Sequence, residues 1–158
     1  MSALIYVETS IPSFYHETRP EAQFQAMREW TREWWDIARV RDELVTSDPV
    51  LMELEGAPEP KRSAALSLLG TLPLLDDMDA VDEIVAAYFQ HKLMPWDAAG
   101  DARHLALATF HECDILATWN CRHIANANKQ QHIRRVNSLL GFATPVLTTP
   151  FELLGQLP

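Results

Sequence analysis

Leu4-Ile5-Tyr6-Val7-Glu8-Thr9-Ser10 runs four apolar residues, rich in β-branched and aromatic types, straight into a carboxylate and two hydroxyls. The run reads as a buried strand. A carboxylate costs several kcal/mol to take from water without a partner, so Glu8 at the mouth of a core strand needs one from elsewhere in the chain.

Working outward, short apolar runs alternate with longer helical stretches, the pattern of strand-helix units around a parallel sheet. After Leu4 to Val7, the candidate strands are Leu44 to Thr46, Leu72 to Leu75, Ile115 to Thr118 and Val146 to Leu147. The expected fold is α/β: one domain over residues 1–158, a three-layer α/β/α sandwich around a central, mainly parallel sheet of about five strands. A chain of 158 residues buries enough surface to fold unaided. Pro20 suits the start of a long helix running to about Val40. Met27, Trp30, Trp34 and Ile37 recur along it at helical spacing and form a core stripe. Trp35 falls off that stripe, which leaves packing under a loop or a protein interface open.

The two cysteines, Cys113 and Cys121, are too few for a disulfide framework, and the start of the chain lacks the pattern of a signal peptide. The apolar runs are too short to span a bilayer. A cytoplasmic protein with reduced cysteines is expected. The net charge of −9 opposes nucleic-acid binding as a total, yet it is unevenly spread. Residues 1–114 hold 21 of the 22 acids against nine Lys and Arg, whereas residues 115–151 hold no acid and four bases, Arg122, Lys129, Arg134 and Arg135. These four are either a solvated helix face or candidate phosphate contacts. The acidic run Asp76 to Glu83 lacks the glycine a calcium loop requires and leads into a helical pattern, so its acids read as a helix start.

Three further polar residues fall where strands end or helices begin, the crevice side of an open parallel sheet. Glu53 follows the second strand on a short helix that Ser47 or Asp48 could cap. Asp101 borders the buried face of an alanine-rich helix near its start, with Asp97 as the simpler N-cap. Asn120 follows the fourth strand, where its amide oxygen could ligate a hard cation or cap the next helix. Cys121 and His123 lack a second pair for a zinc site. Acids collected from separate strands suit magnesium or manganese, which take oxygen ligands, bridge phosphates and lower the pKa of a bound water. On that reading Glu8 is a metal ligand, and Thr9 and Ser10 bond to carboxylates or a loop amide.

Four stretches, "YVETSIPSFY" (6–15), "SDPVLMELE" (47–55), "DARHLALA" (101–108) and "DILATWNCRHIANA" (114–127), resemble in order and spacing the motif regions of PIN-domain proteins, the nuclease fold of VapC-type toxins. The resemblance implies a magnesium- or manganese-dependent endoribonuclease, dimeric and inhibited by a small antitoxin. It implies Glu8, Glu53 and Asp101 as the acidic ligands, with Asn120 where the family commonly has a fourth acid and Thr118 as a nearby hydroxyl. His104 matches a helix position read as structural. Two departures stand out: Glu8 replaces the usual aspartate, and Asn120 removes a negative charge. Asn120 also motivates a second reading, a PIN-fold protein that binds RNA or a protein without cutting. A third, a small phosphatase, lacks the aspartate-x-aspartate its commonest form would carry after the first strand.

Overall fold

The computed structural model describes residues 2–155. Its five strands, β1 (Leu4–Val7), β2 (Glu43–Ser47), β3 (Leu74–Leu75), β4 (Ile115–Ala117) and β5 (Val146–Thr148), form one sheet in the order β3-β2-β1-β4-β5. Every pairing is parallel, with Tyr6 opposite Val45 on one side and Leu116 on the other. The expected three-layer α/β/α sandwich is therefore present.

β1 is the middle strand, and the rest follows from that. The chain first builds outward from β1 through α1 (Ser10–Tyr15) and α2 (Ala22–Arg41) to β2, then through α3 (Asp48–Glu55) and α4 (Lys61–Leu69) to β3. It then returns through α5 (Asp79–Gln90) and α6 (Ala99–Phe110) to β4 on the other side of β1. α7 (Ala127–Leu139), β5 and α8 (Pro150–Leu154) complete it. Right-handed crossovers send α1 to α4 to one face and α5 to α7 to the other. Accordingly, α2 packs on α1 and α8, and α5 packs on α6. The reversal of direction falls between β1 and β4, and an open parallel sheet forms its ligand crevice outside the carboxyl ends of such strands. Glu8 and Thr118 stand there.

Ile5, Tyr6 and Val7 are fully buried, as are Leu116 and Ala117 beside them. Each large side chain among them contributes about 2 kcal/mol by leaving water. Along α6 the burial spreads from Ala102 through His104 to Thr109, because the helix is covered by both the sheet and α5. Among the described residues no helix is long and apolar enough to cross a membrane.

Several local expectations are refined. Pro20 lies outside α2, whose N-cap is Glu21. Trp35 is buried edge-on against Tyr15 and Trp34, so it packs under α1 and presents no interface. Trp30 stacks on Trp119 and meets Phe151 at a tilt, with ring centroids 4.4 Å apart. Asp97 does not cap α6: it sits inside a 3-10 turn, Trp96–Ala98, that leads into the helix. The acidic run does open α5, with Asp79 and Asp82 in the first turn, and Arg103 bridges Asp77 and Asp82 at 2.6 Å each.

Candidate metal centre

The mouth of the crevice is built from the ends of three elements. β1 delivers Glu8, only 5 % exposed, into the gap between β1 and β4. The start of α1 turns its hydroxyl and amide back on it: Ser10 N donates to Glu8 Oε1 at 3.1 Å, and the Ser10 hydroxyl donates to the same oxygen. Thr118, just past β4, adds a third bond to Oε1 at 2.6 Å. Ser10 Oγ in turn accepts from Trp119 N at 2.7 Å, and Thr118 Oγ1 accepts from Asn120 N at 2.9 Å, so both hydroxyls are aimed by the β4 loop.

Glu53 comes from α3. Its Oε1 accepts from the Thr9 hydroxyl and lies 2.6 Å from Nε2 of the fully buried His104. His104 Nδ1 lies 2.7 Å from the Tyr6 hydroxyl, which lies 2.7 Å from Ser47 Oγ. With Ser47 donating to Tyr6, Tyr6 to Nδ1, and Nε2–H to Glu53, every member of this buried chain is satisfied. Ser47 occupies the N-cap position of α3 yet makes no cap bond. Its hydroxyl is turned inward to the chain.

The two carboxylates share one design. Each hydrogen bond that Glu8 or Glu53 accepts from the described residues ends on Oε1. Oε2 of Glu8 is not among the fully buried unpartnered atoms, which among the described residues are Trp34 Nε1 alone, so it is not sealed from solvent. Oε2 of Glu53 faces Gly100, where a Cβ would stand 3.2 Å from it, and the side chain is 40 % exposed. Donor atoms of Glu8, Glu53 and His104 lie within 4.8 Å of one another. No Lys or Arg pairs with either acid among the described residues.

Electrostatics follow from this packing. Burial pushes the Glu53 carboxyl up, but the hydrogen bond and charge of His104, with Thr9, outweigh it and leave it below its usual value. Burial pushes His104 down, while the Glu53 hydrogen bond and the charges of Glu8, Glu53 and Asp101 raise it further. The Tyr6 phenol is raised well above its usual value by burial and by the two glutamates.

Of the residues picked from the sequence, Glu8, Glu53, Thr9, Ser10 and Thr118 converge here. Asp101 lies in the first turn of α6, three residues before His104, and is half-buried. It is absent from the group within 4.8 Å and reaches it through its charge on His104. Asn120 does not cap the next helix, α7, whose N-cap is Asn126; its Oδ1 accepts from Arg122 N at 3.2 Å and His123 N at 3.0 Å and so caps the turn that follows β4. The basic residues divide. Lys129 lies beside the α5–α6 connection, whereas Arg134 and Arg135 flank a separate groove with Gln131 and Leu139. Sequence reasoning left His104 out of the site, although its spacing from Asp101 puts both near one helix face. Tyr6 and Ser47 carried no signal.

The donor set suits a hard divalent cation. Two carboxylates are fixed through one oxygen each, with the second oxygen open, and a histidine orients one of them as outer residues do around ligating carboxylates. No family model matches the chain, and no curated protein does either.

Proposed function

We propose that this chain is a magnesium- or manganese-dependent endoribonuclease of PIN type, the toxin of a toxin-antitoxin pair. The observation that carries the reading is the pairing of Glu8 and Glu53 at the sheet's reversal point, each tied down through Oε1, with no Lys or Arg paired to either among the described residues. The four motif stretches that resemble the family support it, and the same resemblance carries the expectation of a homodimer and a small antitoxin partner.

Glu8 and Glu53 would hold the ion, with Asp101 as a third carboxylate at the start of α6. When bound, such an ion supplies charge stabilisation at a phosphodiester and makes water a stronger acid. Ser10 and Thr118 keep Glu8 Oε1 occupied and so direct Oε2 outward. His104 is a positioning residue that fixes Glu53, backed by Tyr6 and Ser47. Asp101, which takes no part in the hydrogen-bonded chains that engage the glutamates, would accept a proton from attacking water.

The cap formed by Asn120 favours a second reading, a PIN-fold protein that binds RNA or a partner without cutting, since its amide oxygen is already used by two backbone amides. One experiment separates the two. Purified protein, free of any partner, is incubated with structured RNA and manganese, magnesium or EDTA, beside Asp101→Ala. Cutting that needs both metal and Asp101 is the expected result; intact RNA together with no calorimetric divalent binding moves the assignment to the binding protein.

A further inference from the structure

Beside the acidic mouth the α5–α6 connection and the start of α7 enclose a cleft of about 480 Å³, lined by Phe89, Lys92, Trp96, Asn128, Lys129 and His132 with the loop backbone between them. Its lining contains three basic side chains and no acid, in a chain whose net charge is −9. Trp96 stands at its edge, 83 % exposed, with one side against Phe89 at a centroid distance of 5.3 Å.

A tryptophan this exposed on an unanchored loop would say little, but the segment that leads to it is packed and hydrogen-bonded. Leu93 and Met94 are buried, Leu93 N bonds to Tyr88 O at 2.9 Å, and Lys92 adopts φ 55°, the left-handed turn that closes α5. Lys129 Nζ reaches Leu93 O at 3.5 Å and His123 Nδ1 at 3.2 Å, bracing the loop against α7. Two short paths connect the cleft to the mouth. Trp96 precedes by four residues Gly100, whose Cα faces Glu53 Oε2. On the other side, Lys129 bonds His123, whose backbone amide bonds Asn120.

We propose that this cleft binds one unpaired nucleotide of a single-stranded RNA, its base stacked on Trp96 and its phosphate met by Lys92, Lys129 and His132. An exposed aromatic beside basic side chains is the way single strands are held without reading their sequence. The orientation, with the next phosphate passing to Glu8 and Glu53, rests on the nuclease reading above; the binding itself does not. The arrangement selects unpaired RNA, since a base within a duplex has no free face to offer Trp96.

The test is fluorescence anisotropy of fluorescein-labelled octauridylate with the full chain in EDTA, where no cutting occurs, across a salt series. Trp96→Ala is expected to weaken binding about tenfold and Trp96→Phe to restore most of it. Lys92→Gln should lower the slope of log affinity against log salt by about 0.7. A labelled RNA duplex should show no difference between parent and Trp96→Ala. Equal affinity of parent and Trp96→Ala for the octamer overturns the proposal, as does absence of octamer binding at low salt. Trp96-dependent binding without any metal-dependent cleavage keeps this site and removes the nuclease reading; cleavage with octamer affinity independent of Trp96 does the reverse.

Discussion

Two glutamates in this molecule are buried to the same degree and treated in opposite ways. Glu17, at the end of α1, is 5 % exposed, and Arg19 answers it with two hydrogen bonds, Nε to Oε1 at 2.9 Å and Nη2 to Oε2 at 2.8 Å. The amides of Thr18 and Arg19 add two more at 3.1 Å. Glu8 is also 5 % exposed, but its donors are two neutral hydroxyls and one amide, all on a single oxygen. One carboxylate is complete within its own segment; the other accepts hydrogen bonds through one oxygen only. A buried carboxylate without a basic partner costs stability, which makes Glu8 the costlier of the two to bury.

The largest expected effect breaks this contrast directly. Glu8→Gln should lower metal-dependent cleavage about 100-fold or more, while raising the melting temperature in EDTA because the unneutralised charge is gone. Added manganese should raise the melting temperature of the parent and leave that of Glu8→Gln unchanged, which differential scanning fluorimetry reads. If Glu8→Gln is as active as the parent, Glu8 resembles Glu17 after all and the metal centre lies elsewhere.

Next comes His104→Ala, which strips Glu53 and the Tyr6 hydroxyl of a partner in one step. Urea unfolding should show a loss of about 2–4 kcal/mol, the range for opening a buried polar network, with manganese affinity down about 10-fold or more by calorimetry. Unchanged affinity would mean that the histidine braces the core and does not position Glu53.

Glu17 sharpens the comparison from the other side. Hydrogen bonds from Arg19 draw its carboxyl down from 4.5 to about 2, against the upward push of burial. Because the folded value is the depressed one, its stabilisation is present above the unfolded value and is lost as pH falls from about 4.5 toward 2. Glu17→Gln should cost about 1 kcal/mol at neutral pH, given that Arg19 is largely in water, and should flatten the melting curve across that acid window while leaving cleavage untouched. The smallest effect concerns neither acid. Glu112 ends α6 at φ 56°, in the left-handed region, with Cys113 N bonded to Ala108 O at 3.0 Å. Glu112→Gly should stabilise the fold by about 0.5–1 kcal/mol in urea, with no change in activity.

The sheet was legible in the sequence because each parallel strand is a short apolar run between helical patterns, and all five fall within a residue or two of their expected bounds. So were the polar residues at strand ends, since a carboxylate after a buried strand is an anomaly that local sequence displays. What could not be read was any role fixed by a contact between distant segments. Tyr6 meets His104 across 98 residues, and neither type at that separation signals the other. Asn120 read as a cation ligand or a helix cap, because the two amides of its own loop that hold it become partners only once the loop turns. Trp35 left the core stripe of α2 on a helical wheel, yet Tyr15 of α1 covers it. Arg134 and Arg135 shared charge and neighbourhood with Lys129, but the turn of α7 sends them to a different groove.

The place of β1 has a consequence in time. Glu8 emerges from the ribosome more than a hundred residues before Thr118, the partner that holds its inner oxygen, and before β4, which covers one whole edge of β1. A nascent or truncated chain therefore carries the acid without the arrangement that aims it. The crevice forms only once β4 and Thr118 have been made, and a chain that stops short of them lacks the arrangement that orients Glu8.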